Sequence, residues 1–304
     1  MKILILGTGY LGGEIASSLS KTNQIVCLDH GNNFSDISSK LKTVQLVKGD
    51  ITDTSLIKNI SNDVDLICYC ISTGGVVDCI EKPDYYKKIN IDNFKQLLNS
   101  IENKHCKFLL LSSVFVYPDS EQNFEYTLPN PITLYGKLRL EQESLLEKSC
   151  FPYTILRISN IYGHEHLWET KFDNVIDKFI SNALSKKDLT LYGDGKQLVD
   201  LLHIKYFINV LTKIIDKKFQ NQIYNISNES RISIHEIGKI VENIAKNVYG
   251  ISIQINHKNT SDTLPNIPST SSLKIKKDFL WKNDQNIEDE IKLIFDHIKN
   301  SKNN

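Results

Sequence analysis

The sequence predicts an α/β protein with a doubly wound parallel sheet and a smaller, interleaved C-terminal lobe. From residue 2 to about residue 158, short continuous apolar runs alternate with amphipathic helical patterns. Such runs are typical of strands buried on both faces of a parallel sheet, and their alternation with helices gives right-handed crossovers. After Gly163 the alternation becomes less regular, which indicates a second structural unit.

The bulk composition favours a globular enzyme or binding protein with a small, roughly neutral ligand. The chain has 304 residues, 40% of them apolar, and its 36 basic residues balance 36 acidic ones. Nothing in this balance attracts nucleic acid or an anionic membrane. No apolar run approaches the length of a membrane span, so we expect a cytoplasmic protein without membrane contact. The six cysteines lack a complementary set of ligands, so we expect free thiols and no metal.

The first strand leads directly into a glycine-rich loop. Ile3–Leu6 form a buried apolar run, and Gly7, Gly9 and Gly12 follow in G-x-G-x-x-G spacing before a helical pattern begins. Gly7 permits the tight turn, Gly9 lets a pyrophosphate approach the backbone, and Gly12 allows close helix packing. The amides and dipole of the following helix then face the phosphates. This context predicts a dinucleotide site rather than an ordinary turn.

The second apolar run ends at Asp29, where a carboxylate can accept hydrogen bonds from an adenosine ribose. His30 follows, and no arginine lies beside it. A 2′-phosphate would meet the carboxylate, so we expect NAD as the cofactor and consider NADP less suitable.

The remaining elements follow from periodicity. Strands are predicted at 43–47, 65–71, 108–111, 153–158, 189–192 and 223–226. Helices are predicted around 56–60 and at 84–104, 135–148, 173–185, 204–216, 234–248 and 287–299. We assign residues 1–163 and about 196–227 to the dinucleotide-binding domain, and about 164–195 and 228–304 to a substrate-binding lobe. This lobe would cap the carboxyl ends of the strands, where ligands bind in such sheets.

Several motifs together resemble the extended short-chain dehydrogenase/reductases, specifically the NAD-dependent epimerase/dehydratase family of nucleotide-sugar enzymes. They are the glycine loop, Asn90-Ile91, Ser112-Ser-Val-Phe-Val-Tyr117, Leu156-Arg-Ile-Ser-Asn-Ile-Tyr-Gly163, and Gly193-Asp-Gly-Lys-Gln197 followed by Asp200. The resemblance covers nearly the whole chain and implies a Rossmann fold. The cofactor-binding residues it implies are Gly7, Gly9, Tyr10, Leu11, Gly12, Asp29, Asp50, Ile51, Cys70, Ile71 and Asn90.

The resemblance also implies a catalytic set of Ser113, Tyr135 and a cation one helical turn later. Tyr135 is the acid/base, and Ser113 binds the same substrate hydroxyl. Because an ordinary phenol is a weak base at neutral pH, a nearby cation must favour the phenolate. The family has Lys at the position of Arg139, which we expect to hold the ribose and favour the Tyr135 phenolate. Lys137 lies on another helix face.

The substrate side departs further from the family pattern. Val199 stands where the family has a phosphate-binding Arg, and a second expected Arg before the last helix is absent. Either Lys196, Arg231 or Lys258 replaces these clamps, or the substrate is not an ordinary nucleotide-diphosphate sugar. The resemblance further implies substrate contacts at Ser72 and Asn160.

Reaction type follows partly from absent groups. Dehydratases of the family have an Asp-Glu pair after the Ser or Thr, where this chain has Val114 and Phe115. We therefore expect a 4-epimerase or a ketoreductase/dehydrogenase that acts on a sugar carbon, with C4 as the expected position, and not a dehydratase. A dinucleotide-binding regulatory or scaffold protein with a degenerate site is the alternative. Helices 84–104 and 135–148 resemble those that form a homodimer in this family, or they merely cover the sheet.

Overall fold

The computed structural model describes residues 1–30, 41–71, 74–163, 174–217, 221–258 and 265–301. A seven-stranded parallel sheet forms its centre, in the order β10-β6-β5-β4-β1-β2-β3. The strands of this sheet are β1 (Lys2–Leu6), β2 (Gln24–Asp29), β3 (Val44–Lys48), β4 (Leu66–Tyr69), β5 (Lys107–Ser113), β6 (Tyr153–Ile158) and β10 (Gln222–Ile226). The predicted doubly wound parallel sheet is therefore confirmed.

Helices cover both faces of this sheet, and others belong to the C-terminal lobe. They are α1 (Tyr10–Leu19), α2 (Thr54–Ser61), α3 (Val76–Glu81), α4 (Pro83–Lys87), α5 (Asn93–Ser100), α6 (Leu134–Glu147), α7 (Val175–Leu184), α8 (Ile204–Asp216), α9 (Ile234–Tyr249), α10 (Leu273–Phe279) and α11 (Ile287–Ser301). A π-helical segment, Lys88–Asp92, joins α4 to α5, and a 3₁₀ turn, Val114–Val116, follows β5. Within the described residues no helix is both long and apolar enough to cross a membrane.

The sheet sets the position of the site. Strand β1 lies between β2 and β4, so the chain reverses its direction of winding beside β1. Ligands of doubly wound sheets bind at the carboxyl ends of the strands beside such a switch point. Gly7, Cys70 and Ser113 all lie at this edge, because each stands at or just after the end of its strand.

Two small sheets, β11-β9-β7 and β12-β8, lie outside the central sheet. Their strands are β7 (Asn160–Tyr162), β8 (Leu189–Tyr192), β9 (Leu198–His203), β11 (Arg231–Ser233) and β12 (Ile255–Lys258). Helix α8 packs in the same apolar core as α1, whereas α7, α9 and α11 enclose a second core. The second half of the chain thus contributes to both cores.

The structure differs from several of the predicted elements. The predicted helix 84–104 ends at Ser100, and a π-helical segment interrupts it around Asn90. Sequence periodicity did not predict β7, β9, β11 or β12, which are three to six residues long and pair mostly within the small sheets. The two three-residue strands, β7 and β11, carry too few alternating positions to give a clear signal.

Candidate active site

The glycine loop has the geometry of a phosphate cradle. Gly7 has φ +87°, in the region that favours glycine. A Cβ at Gly12 would lie 1.9 Å from the Gly7 carbonyl oxygen, so any side chain there is excluded. A Cβ at Gly9 would meet no atom within 4 Å, so the space above this backbone is open. Gly9 is the N-cap of α1, and no acidic residue occupies the first turn of that helix. The positive end of the helix dipole is therefore available to an anion.

Hydrogen bonds tie this loop to its neighbours. The Thr8 amide donates to Oδ2 of Asp29 at 2.7 Å, which places the carboxylate beside the loop. The Tyr10 hydroxyl donates to the Gly163 carbonyl at 2.5 Å. A carboxylate accepts several hydrogen bonds, so Asp29 can also bind ribose hydroxyls. The open cradle and this carboxylate together fit a dinucleotide.

The other expected cofactor residues divide into four sets. Cys70 and Ile71 pack against the loop. A Cβ at Gly12 would lie 3.2 Å from the Cys70 side chain, and a Cβ at Gly7 would lie 2.9 Å from the Ile71 side chain. Leu11 is partly buried against the core of the sheet. Asp50 accepts hydrogen bonds from the amide and hydroxyl of Thr52, at 2.8 and 2.7 Å, and Ile51 beside it is buried. Asn90 belongs to the π-helical segment against α6.

Ser113 and Tyr135 both contact Phe115. The Phe115 amide donates to Ser113 Oγ at 3.3 Å, and its ring packs edge-on against Tyr135 with centroids 5.8 Å apart. A Cβ at Gly136 would lie 2.1 Å from the Phe115 carbonyl oxygen. Only glycine at this position lets the start of α6 approach the 3₁₀ turn, so the residue after Tyr135 has a steric role.

Arg139 lies one helical turn after Tyr135, with its Cζ 5.2 Å from the centre of the Tyr135 ring. Its side chain is buried, and Nη1 donates to Gln142 Oε1 at 2.8 Å. Lys137 is exposed, which agrees with its expected position on another face. The chain therefore holds a permanent cation beside the phenol.

A buried polar network beneath these residues was not predicted. Ser112 donates to Glu143 Oε1 at 2.5 Å, and Arg157 Nη2 donates to Glu143 Oε2 at 2.6 Å. Arg157 Nη1 also donates to the Tyr117 hydroxyl at 2.7 Å, and that hydroxyl donates to Asn225 Oδ1 at 2.9 Å. Burial by itself lowers the pKa of Arg157, but Glu143 raises it above its ordinary value. The network fixes α6 to β5 and β6.

Two signals in the sequence point to this network. Arg157 is a charged residue inside an otherwise apolar strand, and Glu143 continues the spacing of Tyr135 and Arg139 along one face of α6.

Each basic residue expected on the substrate side contacts another side chain of this chain. Arg231 Nη1 lies 3.2 Å from Asp119 Oδ1, and Lys196 Nζ lies 3.3 Å from Asp194 Oδ2. Lys258 Nζ lies 5.7 Å from the centre of the Tyr192 ring. Asn160 is exposed at the start of β7, and Ser72 lies outside the described residues.

Val199 is buried in the second core, where it faces Ile232 of β11. The next residue, Asp200, is 1% exposed, and its carboxylate accepts from the Asn228 amide at 2.8 Å. Burial raises the pKa of Asp200 to about 6, although hydrogen bonds from Asn228, Ser159 and Glu229 oppose the shift. β9 thus serves the packing of the lobe at both positions.

The described cysteines and histidines form no metal centre. All six cysteines are free, and burial raises the pKa of Cys68 and Cys70. Across the described ranges no group of three or more His, Cys, Asp or Glu side chains is arranged to hold a metal. His164 and His166 lie outside those ranges.

Comparison with known proteins agrees with this arrangement. Residues 3–227 match the NAD dependent epimerase/dehydratase family. The chain is similar to a dTDP-D-glucose 4,6-dehydratase of Dictyostelium discoideum, at 28% identity over 273 residues. That match covers 80% of this chain but only 62% of the relative, less than two thirds of its length. A UDP-glucose 4-epimerase of Lactobacillus helveticus is 25% identical over 323 residues, covering 96% of this chain and 95% of the relative.

A solved structure with a similar fold is UDP-glucuronic acid 4-epimerase from Bacillus cereus, in complex with UDP-glucuronic acid and NAD. It superimposes with a TM-score of 0.84 at 25% identity, over 99% of this chain and 100% of that one. The family match spans the glycine loop, Ser113, Tyr135 and Arg139. The protein therefore belongs to the NAD-dependent epimerase/dehydratase family, as its motifs predict.

Proposed function

We propose that this protein is an NAD-dependent enzyme that transfers hydride to or from C4 of a nucleotide-activated sugar, as an epimerase or a ketoreductase/dehydrogenase. The observation that carries the proposal is the arrangement of Ser113, Phe115 and Tyr135 at the carboxyl edge of the sheet, with Arg139 against the phenol. A site that only binds a dinucleotide does not need this set.

Each of these residues has a distinct part in the proposed reaction. Bound NAD supplies the hydride acceptor. Tyr135 Oη takes the proton from the sugar hydroxyl during oxidation and returns it during reduction. Ser113 Oγ binds the same hydroxyl and orients it, while the charge of Arg139 stabilises the phenolate. Asp29 and the glycine loop would hold the adenosine ribose and the pyrophosphate.

The residues after Ser113 argue against a dehydratase. Val114 is buried, and the Phe115 ring packs on Tyr135. Neither side chain can remove a proton beside a C4 ketone, which dehydration requires. Two relatives named above are 4-epimerases, and a third is a dehydratase. The local chemistry therefore favours the epimerase or reductase type.

We propose a nucleotide-diphosphate sugar as substrate, with Lys196, Arg231 and Lys258 as the candidate phosphate contacts and Asn160 and Ser72 as further substrate residues. Arg231 suits this role through its planar, bidentate donors, but its pairing with Asp119 must then open or be shared. Asp119→Asn should tighten the binding of UDP if Arg231 is a clamp. An unchanged affinity for UDP would leave Lys196 and Lys258 as the candidate phosphate contacts.

Turnover with a substrate panel tests the proposal. Purified protein with NAD(H) is incubated with UDP- and dTDP-linked glucose, glucuronic acid and N-acetylglucosamine, and the products are identified by NMR. We expect a C4 epimer, or a C4 ketone or alcohol formed with a matching change in NADH. Binding of NADH without conversion of any sugar supports the alternative of a regulatory or scaffold protein. Loss of one water from the sugar contradicts the exclusion of dehydration.

We also propose a cytoplasmic homodimer that pairs the helical regions predicted at 84–104 and 135–148, which the structure forms as α4, the π-helical segment, α5 and α6. The outward residues of these helices include Lys95, Lys137 and Glu141, which are exposed and charged. Light scattering at several salt concentrations tests this, because an interface with many charges weakens as screening increases. A monomer at all concentrations contradicts it.

A further inference from the structure

We infer that Gln142 is a positioning residue that adapts this site to arginine in place of lysine; the inference rests on the proposed function. Tyr135, Arg139 and Gln142 lie at i, i+4 and i+7 along α6, so they occupy one face of the helix. The column runs from the phenol to the interior. Gln142 is fully buried at its inner end.

The hydrogen bonds of Gln142 fix the direction of its amide. Nε2 donates to the Asn90 carbonyl at 2.8 Å, so Oε1 must face the opposite way, towards Arg139. Oε1 there accepts from Arg139 Nη1 at 2.8 Å. An amide held in this way presents a carbonyl oxygen to residue 139 and therefore selects a donor at that position.

The anchor of this amide is itself rigid. Asn90 lies in the π-helical segment, is 3% exposed, and donates from Nδ2 to the Tyr86 carbonyl at 2.9 Å. π-helical turns often occur at functional sites. Here the turn places the Asn90 carbonyl against α6, within reach of Gln142.

Arginine uses this acceptor better than lysine. A guanidinium has five N–H donors in a planar fork, so one can bind Gln142 while others remain for further partners. Holding one end of the fork keeps the plane in place near the Tyr135 ring, 5.2 Å away. Tyr69 and Cys79 lie near the same cation. Burial raises the pKa of the Tyr69 phenol and of the Cys79 thiol, and the charge of Arg139 opposes this rise. Both groups are therefore uncharged beside Arg139. The Arg–Gln pair is thus an adaptation and not a decayed site.

A double-mutant cycle tests the pair by NADH affinity, which needs no turnover. Arg139→Met and Gln142→Leu are each expected to weaken NADH binding about tenfold, and the double variant about as much as Arg139→Met alone. Gln96→Leu on α5 is the control, because its exposed amide donates to the Thr52 carbonyl at 2.8 Å, away from Arg139. Additive losses, or an unchanged affinity in Gln142→Leu, overturn the inference.

Gln142→Glu gives a second readout and covers a Leu variant that fails to fold. The carboxylate still accepts from Arg139 but can no longer donate to the Asn90 carbonyl. Because its charge offsets that of Arg139, the pH profile of kcat should move to higher pH. A purely structural Gln142 leaves that profile unchanged, which overturns the inference. If wild-type protein binds NADH but converts no sugar, the proposed function fails, while the NADH cycle still tests the Arg–Gln pair.

Discussion

The candidate cofactor side of this site is formed mainly by backbone, whereas its candidate substrate side is formed by side chains. On the cofactor side, the shape comes from backbone: Gly7 at positive φ, open space at Gly9 and close contact at Gly12. On the substrate side, the candidate contacts are side chains, and Arg231 and Lys196 each pair with an acid of this same chain. Backbone geometry is insensitive to most single substitutions, whereas side-chain contacts can be exchanged singly. We therefore expect the first side to specify the cofactor class and the second to set the substrate.

The largest expected effect is at Tyr135, where the two sides meet. Tyr135→Phe should lower kcat about 10²- to 10⁴-fold, because the acid/base is removed. NADH affinity should stay within about twofold of wild type, since the phenol does not hold the dinucleotide. Stopped-flow turnover and calorimetry measure the two quantities.

Tyr126→Phe is the matched control, because Tyr126 is 84% exposed. Equal turnover in Tyr135→Phe and wild type would remove Tyr135 from the mechanism.

The second largest expected effect is the loss of stability when the buried pair of Glu143 and Arg157 is broken. Glu143→Gln leaves the buried Arg157 guanidinium without its counter-charge, and breaking such a pair costs about 3–5 kcal/mol of unfolding free energy. Urea denaturation measures the change. Glu242→Gln is the control, because its pair with Lys239 lies at the surface, and it should change stability by about 0.5 kcal/mol or less. Similar values for the two variants would contradict a structural role of the buried pair.

On the cofactor side, substitutions at Gly12 and Gly9 should affect stability and cofactor binding separately. Gly12→Ala forces a Cβ onto the Gly7 carbonyl oxygen and should destabilise the protein by about 3 kcal/mol. Gly9→Ala meets no protein atom and should leave stability unchanged, yet weaken NADH binding at least about tenfold. Thermal unfolding and NADH titration measure both variants. Tight NADH binding by a folded Gly9→Ala protein would show that the pyrophosphate does not lie above Gly9.

The smallest effect concerns the substrate lobe. Burial raises the pKa of Asp200 to about 6, so its protonated form stabilises the fold below the ordinary carboxyl pKa and this stability is lost as pH rises to about 6. Between about pH 4 and pH 7, the free energy of unfolding of Asp200→Asn should therefore rise by about 2 kcal/mol relative to that of wild type. Urea denaturation at both pH values measures this.

Asp194 gives the control of opposite sign. Hydrogen bonds, first from the Lys196 amide, lower the pKa of this exposed carboxyl. Asp194→Asn should therefore lose stability relative to wild type as pH rises. A flat difference for Asp200→Asn would mean that its carboxyl titrates normally.

The sequence predicts the central sheet and the motif residues, but it does not predict the tertiary contacts around the site. Continuous apolar runs such as Ile3–Leu6 predicted the central strands, because burial on both faces leaves a strong signal. The site residues Ser113, Tyr135 and Arg139 were chosen from motif resemblance, and the structure places Arg139 against Tyr135. The pairing of Arg231 with Asp119 was not predictable, because these residues are 112 positions apart and meet only through tertiary packing. Gln142 has no motif and depends on the Asn90 carbonyl, which a π-helical turn positions.

The most direct test of the central claim follows the hydrogen at C4. UDP-glucose deuterated at C4 is incubated with the protein and NAD, and the label is traced by NMR and mass spectrometry. We predict that the deuterium either returns to C4 of an epimer or appears in NADH with formation of a C4 ketone. The panel of sugars is tested in the same way if UDP-glucose is not accepted. A product that has lost water, or full retention of the label without reaction in every sugar despite bound NADH, would contradict the account.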